Sequence, residues 1–320
     1  MLAEKRFADE VAEKIAAYLP PEYAGAECRP TETVKNNGVR MAAVTIRMPG
    51  QKAAPVFYVR PYLEEARAGR PMEGILSEIA EEYRKAASRG LLPEGMDYAD
   101  YGEVKGCLSV SLVNTAANRE QLKGMPHREM EDLSLICRIE LPDPDGGGKG
   151  AIRVQGWMLE QWGVTEEELF SQAMENARAK EPPVLSDLFA AMDELAGFPG
   201  TPENLLAQEN PEPGGPMFLL TNQSRVGGAS VLAYPGVPEQ VERLFPEGCY
   251  ILPSSVHEVL VVPKASGISP KELGAMVREV NRQAVAKEER LSDRVYAYDR
   301  EKGRLAQVPE SMEKRRDYER

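Results

Sequence analysis

The segment from Cys249 to Asp299 constrains the fold more than any other stretch of this chain. Its pattern predicts a strand, a turn, a second strand, a helix and a final strand. Ser269 is the expected N-cap of the helix, with Pro270 at the first helical position and Glu272 at the third. The residues expected on the core side of this helix are Leu273, Met276, Val277 and Val280.

Turn signals elsewhere join strands that follow each other directly, as in antiparallel sheets. The turn Asn36–Gly38 predicts a hairpin between strands at Thr31–Lys35 and Met41–Met48. Met217–Asn222 and Ser230–Tyr234 are expected to form another hairpin. Because strict alternation of strand and helix is missing, we predict an α+β fold, with mostly antiparallel sheets, helices packed on one side and two subdomains.

The length of 320 residues predicts about two domains. Residues 1–102 are expected to form an N-terminal α+β unit of helix, strand meander and helix. Residues 103–300 are expected to form a C-terminal α+β unit. The tail, residues 301–320, is highly charged and poor in large apolar groups, so we expect it to fray.

Two further helices are predicted in the C-terminal unit. Thr165 and Glu168 form a capping box, in which each side chain bonds to the backbone N–H of the other residue. The residues of this helix expected to face inward are Leu169, Phe170, Ala173 and Ala177. A shorter helix is expected near Ser186–Ala196, with Leu188, Met192 and Leu195 on its buried face.

Charge and cysteine content limit the compartment and the partners. The chain has 51 acidic and 39 basic residues, a net charge of −12, which disfavours nucleic acids and anionic membrane surfaces as partners. Its four cysteines are far apart and form no C-x-x-C pair, which is typical of reduced thiols inside a cell. The first helix is charged throughout and lacks the apolar core of a signal peptide. We therefore expect a cytoplasmic protein.

One of the two histidines lies among candidate catalytic residues. These candidates are His257, Ser254, Ser255 and Glu258. A serine nucleophile with a histidine base is the basis of many hydrolases and transferases. The G-x-S-x-G motif is absent, however, and catalytic triads assemble in space rather than along the chain. The favoured interpretation is a turn at both serines and a structural hydrogen bond from His257.

The remaining polar motifs are incomplete. His127 and Glu129 match the H-x-E half of the zinc deaminase pattern, but the P-C-x-x-C half is missing. Cys137 alone cannot complete a site that needs three protein ligands. Gly146–Gly150 lacks the Ser or Thr of a phosphate-binding loop. The polar run Asn281–Asp293 either lines a ligand cleft or, as we favour, is a solvated helix end. The sequence therefore predicts no metal, no nucleotide and no cofactor.

Short motifs in a fixed order carry a resemblance to a known family. They are Val34–Gly38, Leu112–Asn114, Pro126–His127, Trp162–Thr165, Leu219–Asn222, Gly228–Ala229, Tyr234–Gly236, Leu252–Ser255, His257–Glu258, Val280–Asn281, Leu291–Asp293 and Val295–Tyr296. With them the chain resembles an uncharacterised family of cytoplasmic Firmicutes proteins from gut anaerobes, described only as a domain of unknown function. The resemblance implies one shared architecture, and no known activity, cofactor or catalytic residue.

These observations favour a non-enzymatic cytoplasmic binding or interaction protein, because reactive residue types are few and scattered. Its expected partner is another protein or a peptide, and neither a nucleic acid nor a membrane. The alternative is a hydrolase or transferase whose site is assembled around His257. The identity of the partner and the oligomeric state do not follow from the sequence.

Overall fold

The computed structural model describes residues 2–51, 54–89, 98–141 and 150–310. The chain divides into two compact units. Unit 1 comprises Met1–Asp97 and Leu141–Gly150, and unit 2 comprises Tyr98–Glu140 and Ala151–Arg320. Helices and antiparallel sheets occur in the same chain without regular alternation, which confirms the predicted α+β class. None of the helices in the described ranges is long and apolar enough to span a bilayer.

The helices and strands are named in chain order. The helices are α1 (Leu2–Lys14), α2 (Arg60–Arg67), α3 (Met72–Arg89), α4 (Tyr101–Val104), α5 (Arg119–Leu122), α6 (Gly156–Trp162), α7 (Glu166–Lys180), α8 (Leu188–Leu195), α9 (Val237–Arg243) and α10 (Pro270–Gln283). The strands are β1 (Glu27–Val34), β2 (Arg40–Arg47), β3 (Val56–Tyr58), β4 (Leu108–Asn114), β5 (His127–Met130), β6 (Leu133–Leu141), β7 (Gly150–Arg153), β8 (Pro183–Asp187), β9 (Phe218–Asn222), β10 (Cys249–Leu252), β11 (Val259–Pro263), β12 (Tyr296–Asp299) and β13 (Arg304–Gln307).

Unit 1 is built on a three-stranded antiparallel sheet in the order β1–β2–β3. Val44 of β2 lies in a core to which α1 contributes Phe7 and α3 contributes Ile79. The predicted hairpin turn is present, with Asn37 at φ 58° and Gly38 at φ 65°. Both residue types tolerate this left-handed conformation, which explains why the turn was readable from the sequence.

Unit 2 contains two sheets. One has six strands in the order β13–β12–β10–β11–β9–β8, and in the other β6 pairs with β4, β5 and β7. Phe170 of α7, Cys137 of β6 and Val261 of β11 belong to one continuous hydrophobic core, so both sheets and the helix stabilise each other. The connection between the paired strands β6 and β7, residues 142–149, lies outside the described residues.

Local capping explains where two of the longer helices of unit 2 begin. The Thr165 hydroxyl accepts the N–H of Glu168 at 3.2 Å, and the Glu168 carboxylate accepts the N–H of Thr165 at 2.8 Å. Ser269 and Glu272 repeat this arrangement at the start of α10. The predicted capping box at Thr165 and the predicted N-cap at Ser269 are therefore confirmed, and both arrangements satisfy N–H groups that a helix start leaves unpaired.

The expected strand at Ser230–Tyr234 is wrong. Residues Gly228–Ala233 form a 3₁₀ helix, in which the Ser230 N–H donates to the Gly227 carbonyl at 3.2 Å. Gly227 has a φ of 65°, a left-handed conformation that turns the chain out of β9. Consequently β9 pairs with β8 and β11 instead.

The buried faces predicted for two helices are wrong in part. On α8, Met192 is 55% and Leu195 is 70% exposed, whereas Ala191 is fully buried. The preceding residues form β8, a strand that the sequence did not suggest, and this strand fixes how α8 is oriented. On α10, Leu273 and Val277 are buried as predicted, while the remaining two members of the expected stripe, Met276 and Val280, are 46% and 45% exposed.

The charged tail does not fray where we expected. Strand β13 pairs with β12 along its whole length, and the Val308 N–H donates to the Val295 carbonyl at 2.8 Å. Leu305 is buried in the core and provides the apolar contact that fixes this segment. Residues 311–320 lie outside the described residues.

Candidate functional site

His257 lies in the connection between β10 and β11 and is bound at several atoms. Its Nδ1 accepts the N–H of Gly227 at 3.2 Å, and its carbonyl oxygen accepts the hydroxyl of Thr221 at 2.8 Å. Its Nε2 lies 3.6 Å from a carboxylate oxygen of Glu289. Since a backbone N–H can only donate, Nδ1 is the acceptor in the neutral ring and Nε2 carries the proton.

The structure does not bring the candidate catalytic residues into a catalytic arrangement. Ser254 and Ser255 are each only 8% exposed, and the Ser255 hydroxyl accepts the backbone N–H of His257 at 3.1 Å. No hydrogen bond joins the imidazole to either serine hydroxyl in this fully described segment. Glu258 is exposed. In the neutral ring only Nδ1 can accept a proton, and the Gly227 N–H already occupies it. The base of a catalytic triad needs this nitrogen free to accept the proton of the nucleophile.

The other reactive side chains also have structural partners. His127 Nδ1 lies 2.9 Å from the Met125 carbonyl oxygen. Burial raises the pKa of Cys137 to about 12, and burial is also the main reason why the pKa of Cys249 is raised. A protonated thiol is a poor nucleophile and a poor ligand. Among the described ranges, no group of three His, Cys, Asp or Glu side chains is placed to hold a metal ion.

Two loops that are distant in sequence form what we call the interlock, residues 253–256 against residues 289–292. The Val256 N–H donates to the Glu289 carbonyl at 2.8 Å, and the N–H groups of Leu291 and Ser292 donate to the carbonyls of Ser254 and Pro253 at 2.9 Å each. Residues 253–256, which include both serines of the candidate catalytic sequence, therefore form one side of the interlock through backbone hydrogen bonds.

Two asparagines complete the interlock, half-buried Asn114 and buried Asn281. Asn114 donates from Nδ2 to the Leu291 carbonyl at 2.9 Å, and Asn281 donates from Nδ2 to the Ser292 carbonyl at 3.0 Å. Asn281 is only 2% exposed, so the interpretation of its segment as a solvated helix end is wrong for this residue. These two amides satisfy the carbonyls of buried Leu291 and Ser292, and so stabilise a junction that would otherwise leave those carbonyls unpaired.

A carboxyl group that the sequence analysis missed lies next to the interlock. Asp132, in the turn between β5 and β6, accepts hydrogen bonds from Ser292 Oγ at 2.9 Å, from Gln307 Nε2 at 3.2 Å and from the Tyr296 hydroxyl. Burial is the main reason why the pKa of Asp132 is raised, and the bond from Ser292 acts in the opposite direction. A Glu-Asp pair between two strands indicates only a turn, so no sequence signal identified this cluster.

Unit 2 contains a cleft of about 1170 Å³. Its walls come from β5, α7, the 3₁₀ helix and the hairpin of β12 and β13. The residues that form its floor are apolar or aromatic and nearly buried; they are Leu135, Phe170, Leu232, Tyr234 and Leu305. Because small-molecule pockets usually measure about 300–1,000 Å³, this cleft is large enough for a segment of polypeptide.

Charged side chains surround this apolar floor. The lining contains three guanidinium groups and five carboxylates: Arg128, Arg178, Arg304, Glu129, Glu131, Glu167, Glu175 and Glu239. Arg128 lies over the Phe170 ring, with its guanidinium carbon 4.5 Å from the ring centroid. Neither Arg178 nor Arg304 forms an ion pair with any residue in the described part of the chain. The lining thus offers charges of both signs, with an excess of carboxylates.

A substitution at Gly228 tests how closely this residue packs against the loop that carries His257. A Cβ at this position would overlap Thr221 Oγ1 and would lie 2.5 Å from the His257 carbonyl oxygen. Gly228→Ala should therefore lower the free energy of unfolding by at least about 2 kcal/mol, measured by urea denaturation. Gly106→Ala is the matched control, because no heavy atom lies within 4 Å of the position that its new Cβ would take. Equal urea midpoints for the two variants would contradict this packing.

The raised pKa of Asp132 predicts that the free energy of unfolding depends on pH. Because its pKa is raised on folding, the folded state holds this proton to higher pH than the unfolded state, and stability falls as pH rises from 3.8 through the raised pKa. Asp132→Asn cannot titrate, so the stability advantage of the wild type over this variant should shrink as pH rises across that interval. Urea denaturation at a pH series from about 4 to 7 measures this difference. A difference that is constant or grows with pH would contradict the assignment.

Comparisons with known proteins were made for the whole chain. A search of curated proteins and a search of solved structures found no match. One family model, described as a family of unknown function (DUF5688), matches residues 4–300. The match covers the 12 motifs that carried the resemblance and extends over both units. The predicted resemblance to a domain of unknown function is thereby confirmed, and the chain belongs to the DUF5688 family.

Proposed function

We propose that this protein is a non-enzymatic binding protein that takes up a peptide segment of another protein in the cleft of unit 2. The single observation that carries the proposal is the composition of the cleft, which combines an apolar floor with a charged rim. Apolar side chains of a bound segment would be removed from water on the floor, and its charged side chains would meet opposite charges at the rim.

The rim also indicates which peptides should bind best. Five carboxylates face three guanidinium groups, and because Glu239 is already paired with Arg243 at 2.5 Å, an excess of one negative charge remains. A segment with apolar side chains and a small excess of Lys or Arg therefore complements the cleft better than an acidic segment. The burial of Tyr234, which raises its pKa to about 12, keeps this floor residue neutral.

The arrangement of His257 supports binding rather than catalysis. Its Nδ1 is held by the Gly227 N–H at 3.2 Å, and neither Ser254 nor Ser255 is bonded to the ring. His257 is also not among the residues that line the cleft. A reaction centred on His257 would therefore need a rearrangement of the loop that the interlock fixes.

We also propose that binding takes place in the cytoplasm of a bacterium. All four cysteines are free thiols, which agrees with a reducing compartment. The net charge of −12 supports a protein or peptide partner over nucleic acid, whose phosphates are repelled by an acidic surface.

A cleft-filling variant tests the proposal. Ser171 of α7 lines the cleft and is exposed, and Ser77 of α3 is an exposed helical serine outside it. A phage-displayed library of random peptides is selected on the purified wild type, and the affinity of the best peptide is measured by fluorescence polarisation. Ser171→Trp should weaken binding at least about tenfold, or about 1.4 kcal/mol, because the indole occupies the cleft. Ser77→Trp should leave the affinity unchanged.

Three outcomes would contradict the proposal. The first is a selection that yields no peptide above background. The second is equal affinity of wild type and Ser171→Trp. The third is hydrolysis of an ester or peptide panel that the wild type performs and that His257→Ala abolishes, which would establish the alternative enzyme.

A further inference from the structure

Helix α8 presents an apolar surface to solvent. We call it the α8 patch, and its members are Phe189 (59% exposed), Met192 (55%), Leu195 (70%) and Phe198 (63%). The first three follow each other at intervals of three residues, which places them along one side of the helix. Aromatic residues and methionine are enriched in protein interfaces, and contiguous exposed apolar groups mark interaction sites.

The orientation of this helix is fixed by its neighbours. The Asp187 carboxylate accepts the N–H groups of Phe189 at 2.9 Å and Ala190 at 3.1 Å, so the helix start is capped. The Leu188 N–H donates to the Met217 carbonyl at 3.1 Å, and Arg225 forms an ion pair with Glu194. These contacts hold α8 with Ala191 toward the core and the α8 patch outward, so the exposure does not result from a loosely attached helix.

The chain segment that carries the patch bears charge of one sign. Between residues 181 and 224 the chain contains no Lys, Arg or His, and it contains seven acidic residues: Glu181, Asp187, Asp193, Glu194, Glu203, Glu209 and Glu212. Asp193, Glu203 and Glu209 are exposed. The two cations that flank this segment along the chain are already engaged, because Lys180 Nζ donates to the Gly106 carbonyl and Arg225 forms an ion pair with Glu194. The patch is therefore apolar with an acidic border.

We infer that the α8 patch is a second docking surface, separate from the cleft, for a cationic amphipathic helix of another protein. The apolar face of such a helix covers the patch, and its Lys or Arg side chains meet the acidic border. A second copy of this chain is disfavoured as the occupant, because two identical acidic borders would face each other and repel.

Two synthetic peptides of 18 residues serve as probes, one with Leu and Lys in an amphipathic helical pattern and one with Glu in place of each Lys. Binding to the full chain is measured by fluorescence anisotropy. The Leu/Lys peptide should bind, and the Leu/Glu peptide should not. The double variant Phe189→Ser, Leu195→Ser should lose at least about tenfold in affinity for the Leu/Lys peptide.

Two matched control variants distinguish the α8 patch from the exposed apolar groups of α10 and from the cleft. Met276→Ser with Val280→Ser removes apolar groups of similar chemistry from α10, where they are 46% and 45% exposed, and should leave affinity unchanged. Because the cleft of the proposed function would also take up a Leu/Lys segment, the α8 and α10 variants are compared in a Ser171→Trp background, in which the cleft is filled and the Leu/Lys peptide should still bind. If the α8 double variant does not fold, as judged by circular dichroism, Met192→Glu alone takes its place and should cause the same loss.

The inference is overturned by any of several results. Absence of binding by the Leu/Lys peptide overturns it directly. Equal loss in the α8 and α10 variants would show general attraction to an acidic protein, and complete loss of binding in the Ser171→Trp background would place the only site in the cleft. A wild-type dimer that dissociates when Phe189 and Leu195 are replaced would make a second copy the occupant.

Discussion

The main-chain pairing of two loops in the interlock is the constraint on which the rest of unit 2 depends. Segment 253–256 leaves β10 and leads to β11, while segment 289–292 leads from α10 to β12. Three backbone hydrogen bonds of 2.8–2.9 Å hold the two segments together. They fix the exit of one strand and the entry of another, and they do so with buried polar groups that would be costly to leave unpaired.

The interlock also contacts the elements that form the walls of the cleft. Ser292 belongs to the interlock and donates to Asp132, which in turn accepts the Tyr296 hydroxyl. Asp132 lies beside Glu131 of the cleft lining, and Tyr296 begins the hairpin that supplies Tyr298 and Arg304 to the opposite wall. The hydrogen bonds of the half-buried Asp132 carboxyl group therefore connect the β5–β6 turn on one side of the cleft to the β12–β13 hairpin on the other, next to the interlock.

Structural features that depend only on residues close together in sequence were predictable. The capping boxes at Thr165 and Ser269 and the turn at Asn37 follow from local hydrogen bonds and backbone preferences, and the structure confirms them. The segment at Ser230–Tyr234 was not predictable, because its 3₁₀ helix depends on the close approach of Gly228 to Thr221, seven residues away. An apolar strip such as that of α8 shows that a helix is amphipathic but does not show whether a partner in the fold covers it.

The arrangement of the candidate site was less predictable from the sequence than the fold. Ser254, Ser255 and His257 were noticed because they are adjacent in sequence, yet the interlock engages the backbone of this segment and the His257 ring is bound by Gly227. The cleft is assembled from separate elements whose lining residues share no motif, and Asp132 acquires its significance only from partners about 160 or more residues away. Spatial convergence of this kind is invisible to local patterns.

Hydrogen exchange measured by nuclear magnetic resonance tests the interlock most directly. The amides of Val256, Leu291 and Ser292 lie outside the named helices and strands, yet each donates to a carbonyl across the junction. We expect them to exchange at least about 1,000-fold more slowly than in an unstructured chain, at rates close to that of Val261 in β11. Exchange of these three amides at the rate of an unstructured chain would contradict the account.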